Sequence, residues 1–195
     1  MKRFLIFASV CAFALTVFQS GRADVSINFF YDNLNGGNWY EVADYGYVWQ
    51  PDAATNPDWR PYTDGYWAYT DVGWTWVSYE DFGWAAYHYG RWIRLRNVGW
   101  VWVPGEHWAP AWVSWRKGSD YVGWAPLPPE GQGYAIDVNI RVGDVPETNW
   151  VFVPVEQFTA PQLTVVIQGG DRVHDVFART QLAEPVVQND IVINN

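Results

Sequence analysis

The pattern Val-Gly-Trp-x-Trp-Val occurs twice, at Val72–Val77 and Val98–Val103, and each copy follows a Tyr-x-x-Gly-x-Trp segment, Tyr62–Trp67 and Tyr87–Trp92. The leading segments stand 25 residues apart and the trailing ones 26. Such self-similarity means one supersecondary piece used more than once. Trp, Tyr, Val and Thr favour pleated surfaces. Asp71-Val72-Gly73 and Asn97-Val98-Gly99 suit three-residue turns whose glycine takes the left-handed position. The unit therefore reads as a β-hairpin. A third hairpin is predicted over Ala111–Ala125, turning at Lys117-Gly118-Ser119-Asp120, where Pro110, Pro126, Pro128 and Pro129 oppose helix. Helix is expected only around Thr159–Leu163, with Thr159 as cap and Pro161 in the first turn. The expected fold class is all-β: Trp-rich hairpin repeats in a compact sheet or sandwich-like domain, with a smaller β-rich C-terminal segment.

Register turns the pattern into chemistry. A loop at Asn97–Gly99 sets Arg96 against Trp100, Leu95 against Val101, Arg94 against Trp102 and Ile93 against Val103. Side chains alternate between faces, so Ile93, Leu95, Val101 and Val103 form an aliphatic surface. Trp92, Arg94, Arg96, Trp100 and Trp102 share the other. The same rule groups Tyr66, Ala68, Thr70, Trp74, Trp76 and Ser78 in the first hairpin, with Trp67, Tyr69, Thr75 and Val77 behind. In the third, Arg116 opposes Tyr121 beside Trp112, with Val113, Trp115, Val122 and Trp124 behind. Arginines among indoles suggest cation–π stacking on a face open to water. Two roles for the indoles compete. They pack hairpin on hairpin as a second apolar layer, each burying roughly 150–250 Å², or they form a platform for a ligand with C–H-rich faces, such as a glycan. The candidate ligand-binding residues are Tyr66, Trp74, Trp76, Trp92, Arg94, Arg96, Trp100 and Trp102.

Three zones follow a leader. Residues 1–23 have the form of a secretory signal peptide: Lys2 and Arg3, the apolar run Phe4 to Phe18, then Gly21 and Ala23 at the −3 and −1 positions. Cleavage removes Cys11, the only cysteine, so packing without disulfides is expected to hold the exported chain together. Residues 24–44, Asn- and Gly-rich, are expected to be an opening strand and loop. Residues 45–129 are the Trp-repeat β domain and hold 13 of the 15 tryptophans. Residues 130–195 form a Val/Ile-rich segment with strand-like runs at Ile136–Val142, Trp150–Val155, Leu163–Ile167 and Ile191–Ile193. No second hydrophobic run is long enough to span a bilayer once the leader is gone. A periplasmic or extracellular location is the expectation. The net charge of −9 gives no electrostatic grip on a phosphate backbone, which argues against nucleic acid as a partner.

Catalytic signatures are weak. His88 and His107 with Glu80, Asp81 or Glu106 lack the spacing of a metal loop, so no metal or other cofactor is expected. Glu80-Asp81 and Glu106 could serve as the two carboxylates of a glycoside hydrolase, but adjacent acids before Gly83 read more simply as a solvated turn. No serine lies in Gly-x-Ser-x-Gly. No catalytic residue is assigned.

The chain resembles a family of exported, tryptophan-rich bacterial proteins of unknown function. The resemblance rests on Tyr47-Val-Trp49-Gln-Pro51, Trp59-Arg-Pro-Tyr62, Asp64-Gly65-Tyr-Trp67, Gly73-Trp-Thr-Trp76, Phe82-Gly-Trp84, Tyr87-His-Tyr-Gly-Arg-Trp92 and Gly99-Trp-Val-Trp-Val-Pro-Gly105. It continues through Trp108-Ala-Pro-Ala-Trp112-Val-Ser-Trp115 and Val122-Gly-Trp-Ala-Pro126. It implies export but carries no activity, ligand or site residue with it. The expected function is a non-catalytic binding module of the cell envelope that recognises a polysaccharide or an envelope protein through the aromatic and arginine face. The alternatives are a purely structural or assembly protein and, behind that, a glycoside hydrolase.

Overall fold

Each Gly-Trp-x-Trp strand pairs antiparallel with the strand before it. Strands β3 (Gly65–Thr70) and β4 (Gly73–Ser78) form the first hairpin, β5 (Tyr89–Leu95) and β6 (Gly99–Trp108) the second, and β7 (Val113–Lys117) and β8 (Tyr121–Pro126) the third. The computed structural model describes residues 26–129, 145–183, 185–188 and 191–194; the leader and the strand expected at Ile136–Val142 lie outside the described residues. Strands β1 (Gly37–Val42) and β2 (Gly46–Pro51) join the second hairpin in a sheet ordered β1-β2-β6-β5. Strands β9 (Val151–Pro154) and β10 (Gln181–Leu182) flank the third in the order β10-β7-β8-β9. A separate pair, β11 (Pro185–Gln188) and β12 (Ile191–Asn194), follows. The all-β class expected from the repeats is what the chain adopts.

The hairpin registers differ from the expected ones, by one residue or by two. In the second, Leu95 pairs with Gly99, Arg94 with Trp100 and Trp92 with Trp102, which leaves Arg96-Asn97-Val98 as the loop. The offset from the expected pairing is two residues, so the face assignment survives. In the first, Thr70 pairs with Gly73 and Trp67 with Trp76 across a two-residue loop, Asp71-Val72. That is a slip of one, and it reverses the faces: Trp67, Tyr69, Trp74 and Trp76 lie together, while Tyr66, Ala68, Thr75 and Val77 lie opposite. The extra residue between the two copies of the repeat is therefore housed in the second loop. Gly73 (φ +94°) and Gly99 (φ +96°) both take the positive φ that the turns demand. In the third hairpin Trp115 faces Trp124, and Arg116 pairs with Gly123 rather than Tyr121, again an even offset.

Three sheets converge on one aromatic core. Trp49, Trp92, Trp100 and Trp102 enter it from the first sheet, Trp67 and Trp76 from the β3–β4 pair, and Trp115 and Trp124 from the third hairpin. The aliphatic reverse of the first sheet, with Val48, Ile93 and Val101, forms a separate cluster. The doublet indoles and the branched aliphatics thus occupy opposite sides of β5–β6 as expected, but the indoles form the principal interior.

Three segments depart from expectation. The opening residues begin with helix α1 (Ile27–Asn33), which seats Phe30 against Tyr89 and Trp102. No helix forms at Thr159–Leu163; Ala160 precedes Pro161, which disfavours the helical region there, and Phe158 turns into the core. The run Leu163–Ile167 is not a strand. It forms a 3₁₀ turn, Leu163–Val165, that buries Leu163 and leaves Val165 exposed, because a single turn docks one side chain where a strand would need a free neighbour. Helix α2 (Gly83–Ala86) and helix α3 (Arg172–Ala178) follow, with further 3₁₀ turns at Asp52–Thr55, Glu147–Asn149 and Val155–Gln157. In α3, Val173, Val176 and Phe177 pack on Trp150 and Phe152 with helical spacing.

Candidate functional site

The hairpin face that carries Trp92, Arg94, Arg96, Trp100 and Trp102 runs from the interior to water. Trp92 and Trp102 lie deepest, paired across the strands. The Trp92 indole N–H donates to the Ala86 carbonyl at 2.8 Å and that of Trp102 to the Tyr89 carbonyl at 2.6 Å. One pair nearer the loop, Trp100 is 4% exposed while its partner Arg94 is exposed. Arg96 is exposed in the loop itself. The expectation of indoles open to water is corrected by this packing: the core ends at Trp100, and only the guanidinium groups lie beyond it. Cation–π stacking does occur, but on other arginines. Arg91 sits 3.6 Å over the Trp112 ring and Arg116 sits 3.8 Å over Phe177.

The first-hairpin candidates separate in the same way. Trp76 is fully buried against Tyr62, Trp67 and Tyr87. Trp74 is half-buried, edge-on to Tyr69 and Phe158. Tyr66, on the opposite face, meets Tyr79 at 5.8 Å. The eight residues therefore do not make one surface. What they share with the solvent is concentrated at the tip of the second hairpin.

At that tip lies a groove of about 590 Å³. One wall is Arg94 to Trp100; the other is Ala54 to Pro57 with Trp59, beginning in the second half of the 3₁₀ turn Asp52–Thr55. Gln50 ties the walls together, since its side-chain amide donates to the Val98 carbonyl at 2.8 Å and the Trp100 carbonyl at 3.3 Å. Both are backbone acceptors near the loop, so a buried amide holds the turn in place. Arg60 stands behind Trp59 and donates to the Trp150 carbonyl at 3.3 Å. Burial holds the Arg60 guanidinium below its ordinary pKa, and the charge of Arg94 adds to the depression.

Trp59 is oriented from behind by a half-buried carboxylate. Its indole N–H donates to Glu80 Oε1 at 2.8 Å, and the Tyr87 hydroxyl donates to Glu80 Oε2. Burial pushes Glu80 up to about 7, even though both hydrogen bonds favour the charged form. The chain of contacts continues: the Tyr62 hydroxyl donates to the Tyr87 carbonyl at 2.9 Å and accepts from the Trp112 backbone N–H at 3.1 Å. Burial raises the pKa of Tyr87 well above its usual value, with the Glu80 charge adding to it. Glu80 thus serves the interior and the groove wall together. Asp81 and Glu106 are exposed, and Glu106 lies on β6 rather than in a turn beside Glu80. His88 rests against the Ala109 carbonyl at 3.0 Å and stacks on Trp108, and burial holds its pKa down. Among the described residues no group of three or more His, Cys, Asp or Glu side chains could hold a metal ion.

Reasoning from the repeats missed Trp59, Arg60, Asn56 and Gln50. Only Trp59 and Arg60 carried any signal, as neighbours of Tyr62 at the head of the first repeat; nothing in the spacing marked Gln50 or Asn56.

Strand order and core define an antiparallel all-β domain built around buried indoles that meet edge-on or tilted, with a cationic groove at one hairpin tip. The chain belongs to the family of unknown function DUF6600, whose match spans residues 31–131, just over half of the sequence and all of the groove. No curated protein and no solved structure matches the chain.

Proposed function

We propose that this protein is an exported, non-catalytic binding module of the cell envelope, and that it holds a polysaccharide in the groove between the 3₁₀ turn and the β5–β6 loop. The observation that carries the reading is the convergence of Trp59, Arg94 and Arg96 on a concavity of about 590 Å³. That lies within the size range of small-ligand clefts, roughly 300–1,000 Å³. An indole wall stacks on the C–H face of a sugar, while Asn56, Asn97 and the guanidinium groups hydrogen-bond its edges. Export rests on the form of residues 1–23. Cell fractionation tests it, with recovery in the cytoplasm as the contrary result. A glycan array with Arg94→Ala and Trp59→Phe tests the site: binding that persists undiminished in both folded variants removes the groove from consideration.

A second reading has its own observation. Trp76, Trp92, Trp100 and Trp102 are all buried, as an assembly protein whose indoles serve only rigidity requires. It predicts no glycan binding by the parent chain, together with loss of folding when these tryptophans are replaced.

A further inference from the structure

We infer that the groove selects an anionic sugar chain, one bearing carboxylates, and discriminates against its neutral counterpart. The inference deepens the binding reading above and rests on it.

Charge is unevenly placed on this chain. The chain carries 21 acidic and 12 basic residues, yet the formal charges lining the groove are Arg94 and Arg96, with no Asp or Glu beside them. Arg60 adds a third cation close enough for the Arg94 charge to act on it. Among the described residues no carboxylate pairs with Arg94 or Arg96. Asp58 acts on Arg60 from the neighbouring turn but does not line the groove. Like charges left uncompensated at the mouth of a concavity raise the local concentration of anions in an otherwise acidic surface. Guanidinium forks match carboxylate geometry and form its stronger, charge-assisted hydrogen bonds.

The lining suits a sugar better than a peptide. A peptide bound by strand addition needs a free strand edge. The groove takes only Arg94 and Leu95 from the edge strand β5; the rest of its lining is residues 96–100, Gln50, residues 54–57 and Trp59, so it offers no run of edge backbone for such pairing. Besides the arginines and Gln50, whose amide is taken up by the loop carbonyls, its polar side chains are the amides of Asn56 and Asn97 and the hydroxyl of Thr55, which suit ring hydroxyls. Trp59, fixed through Glu80, supplies the flat wall.

The test is isothermal titration of the full chain with a matched pair: an oligogalacturonate hexamer and the same hexamer fully methyl-esterified, which keeps the backbone and removes the charge. The free acid is expected to bind at least about tenfold more tightly at low salt. Arg94→Gln combined with Arg96→Gln, both exposed changes, should abolish that difference, which for a factor of ten is about 1.4 kcal/mol. Circular dichroism confirms that the variant is folded. Equal binding of acid and ester overturns the anionic preference while leaving the polysaccharide reading intact. Binding of neither hexamer overturns both. Tighter, arginine-dependent binding of poly-glutamate overturns the choice of sugar over peptide.

Discussion

Trp67 and Trp124 offer a controlled comparison inside the aromatic core. Both are buried, at 2% and 0% exposure, and they meet edge-on with centroids 5.6 Å apart. They differ in the fate of the indole N–H. Trp124 donates to the Tyr62 carbonyl at 2.9 Å, whereas the buried Trp67 N–H has no partner among the described residues. Replacing either by Phe removes the same atoms, at roughly 1–2 kcal/mol for lost transfer energy and residual cavity. Trp124→Phe also strands a buried carbonyl, which adds about 1–3 kcal/mol. Trp67→Phe instead deletes a donor that was already unsatisfied, so its net cost falls. The expected gap is about 2 kcal/mol, with Trp124→Phe the less stable. Urea unfolding followed by far-UV circular dichroism measures it, provided the m-values agree. Equal losses, or a greater loss in Trp67→Phe, would refute the reasoning that hydrogen bonding divides otherwise equivalent indoles.

Two further perturbations follow from the packing. Glu80 titrates at about 7 in the folded chain against an ordinary value of 4.5, so between those pH values the folded state holds a proton that the unfolded chain releases. Stability from this group is therefore lost as pH rises through that window, by up to roughly 3 kcal/mol. Glu80→Gln should flatten the urea midpoint between pH 4.5 and 8; an unchanged pH slope in the variant would assign the effect elsewhere. At Gly123, β8 passes tightly against β9: an added Cβ would overlap the Phe152 ring and fall 2.8 Å from the Val151 carbonyl oxygen. Gly123→Ala is expected to cost about 1–3 kcal/mol, while Gly169→Ala, which meets open space, should stay within about 0.5 kcal/mol. Thermal melts of the two compare them directly, and equal midpoints would contradict the packing.

The existence of three hairpins was legible because Gly-Trp doublets, proline boundaries and β-branched neighbours all point the same way. The faces were legible only to parity. A two-residue error in the second hairpin left Trp92, Trp100 and Trp102 opposite Ile93 and Val101. A one-residue error in the first exchanged Trp67 for Tyr66. The clue was the step from 25 to 26 residues between repeat segments, which marks the longer loop. Exposure of the indoles was not legible: alternation says which side chains share a face, not which face meets another sheet. Trp92 and Trp102 are interior because Phe30 of α1 packs on Trp102 and α2 with Tyr87 and Trp59 covers Trp92, a long-range arrangement that no local spacing encodes. Arg94 and Arg96 remained correctly on the water side, since a guanidinium at the end of such a face has an inexpensive route to solvent. The other groove wall came from Ala54 to Trp59, where a 3₁₀ turn without periodicity gave no pattern to extrapolate.

The most direct test of an interior made of doublet indoles is hydroxyl-radical footprinting of the folded chain, read residue by residue by mass spectrometry. Trp84 and Trp108, exposed at 43% and 44%, should be oxidised readily, whereas Trp76, Trp92 and Trp102 should react only after denaturant is added. Oxidation of those three at the rate of Trp84 under native conditions would contradict the account.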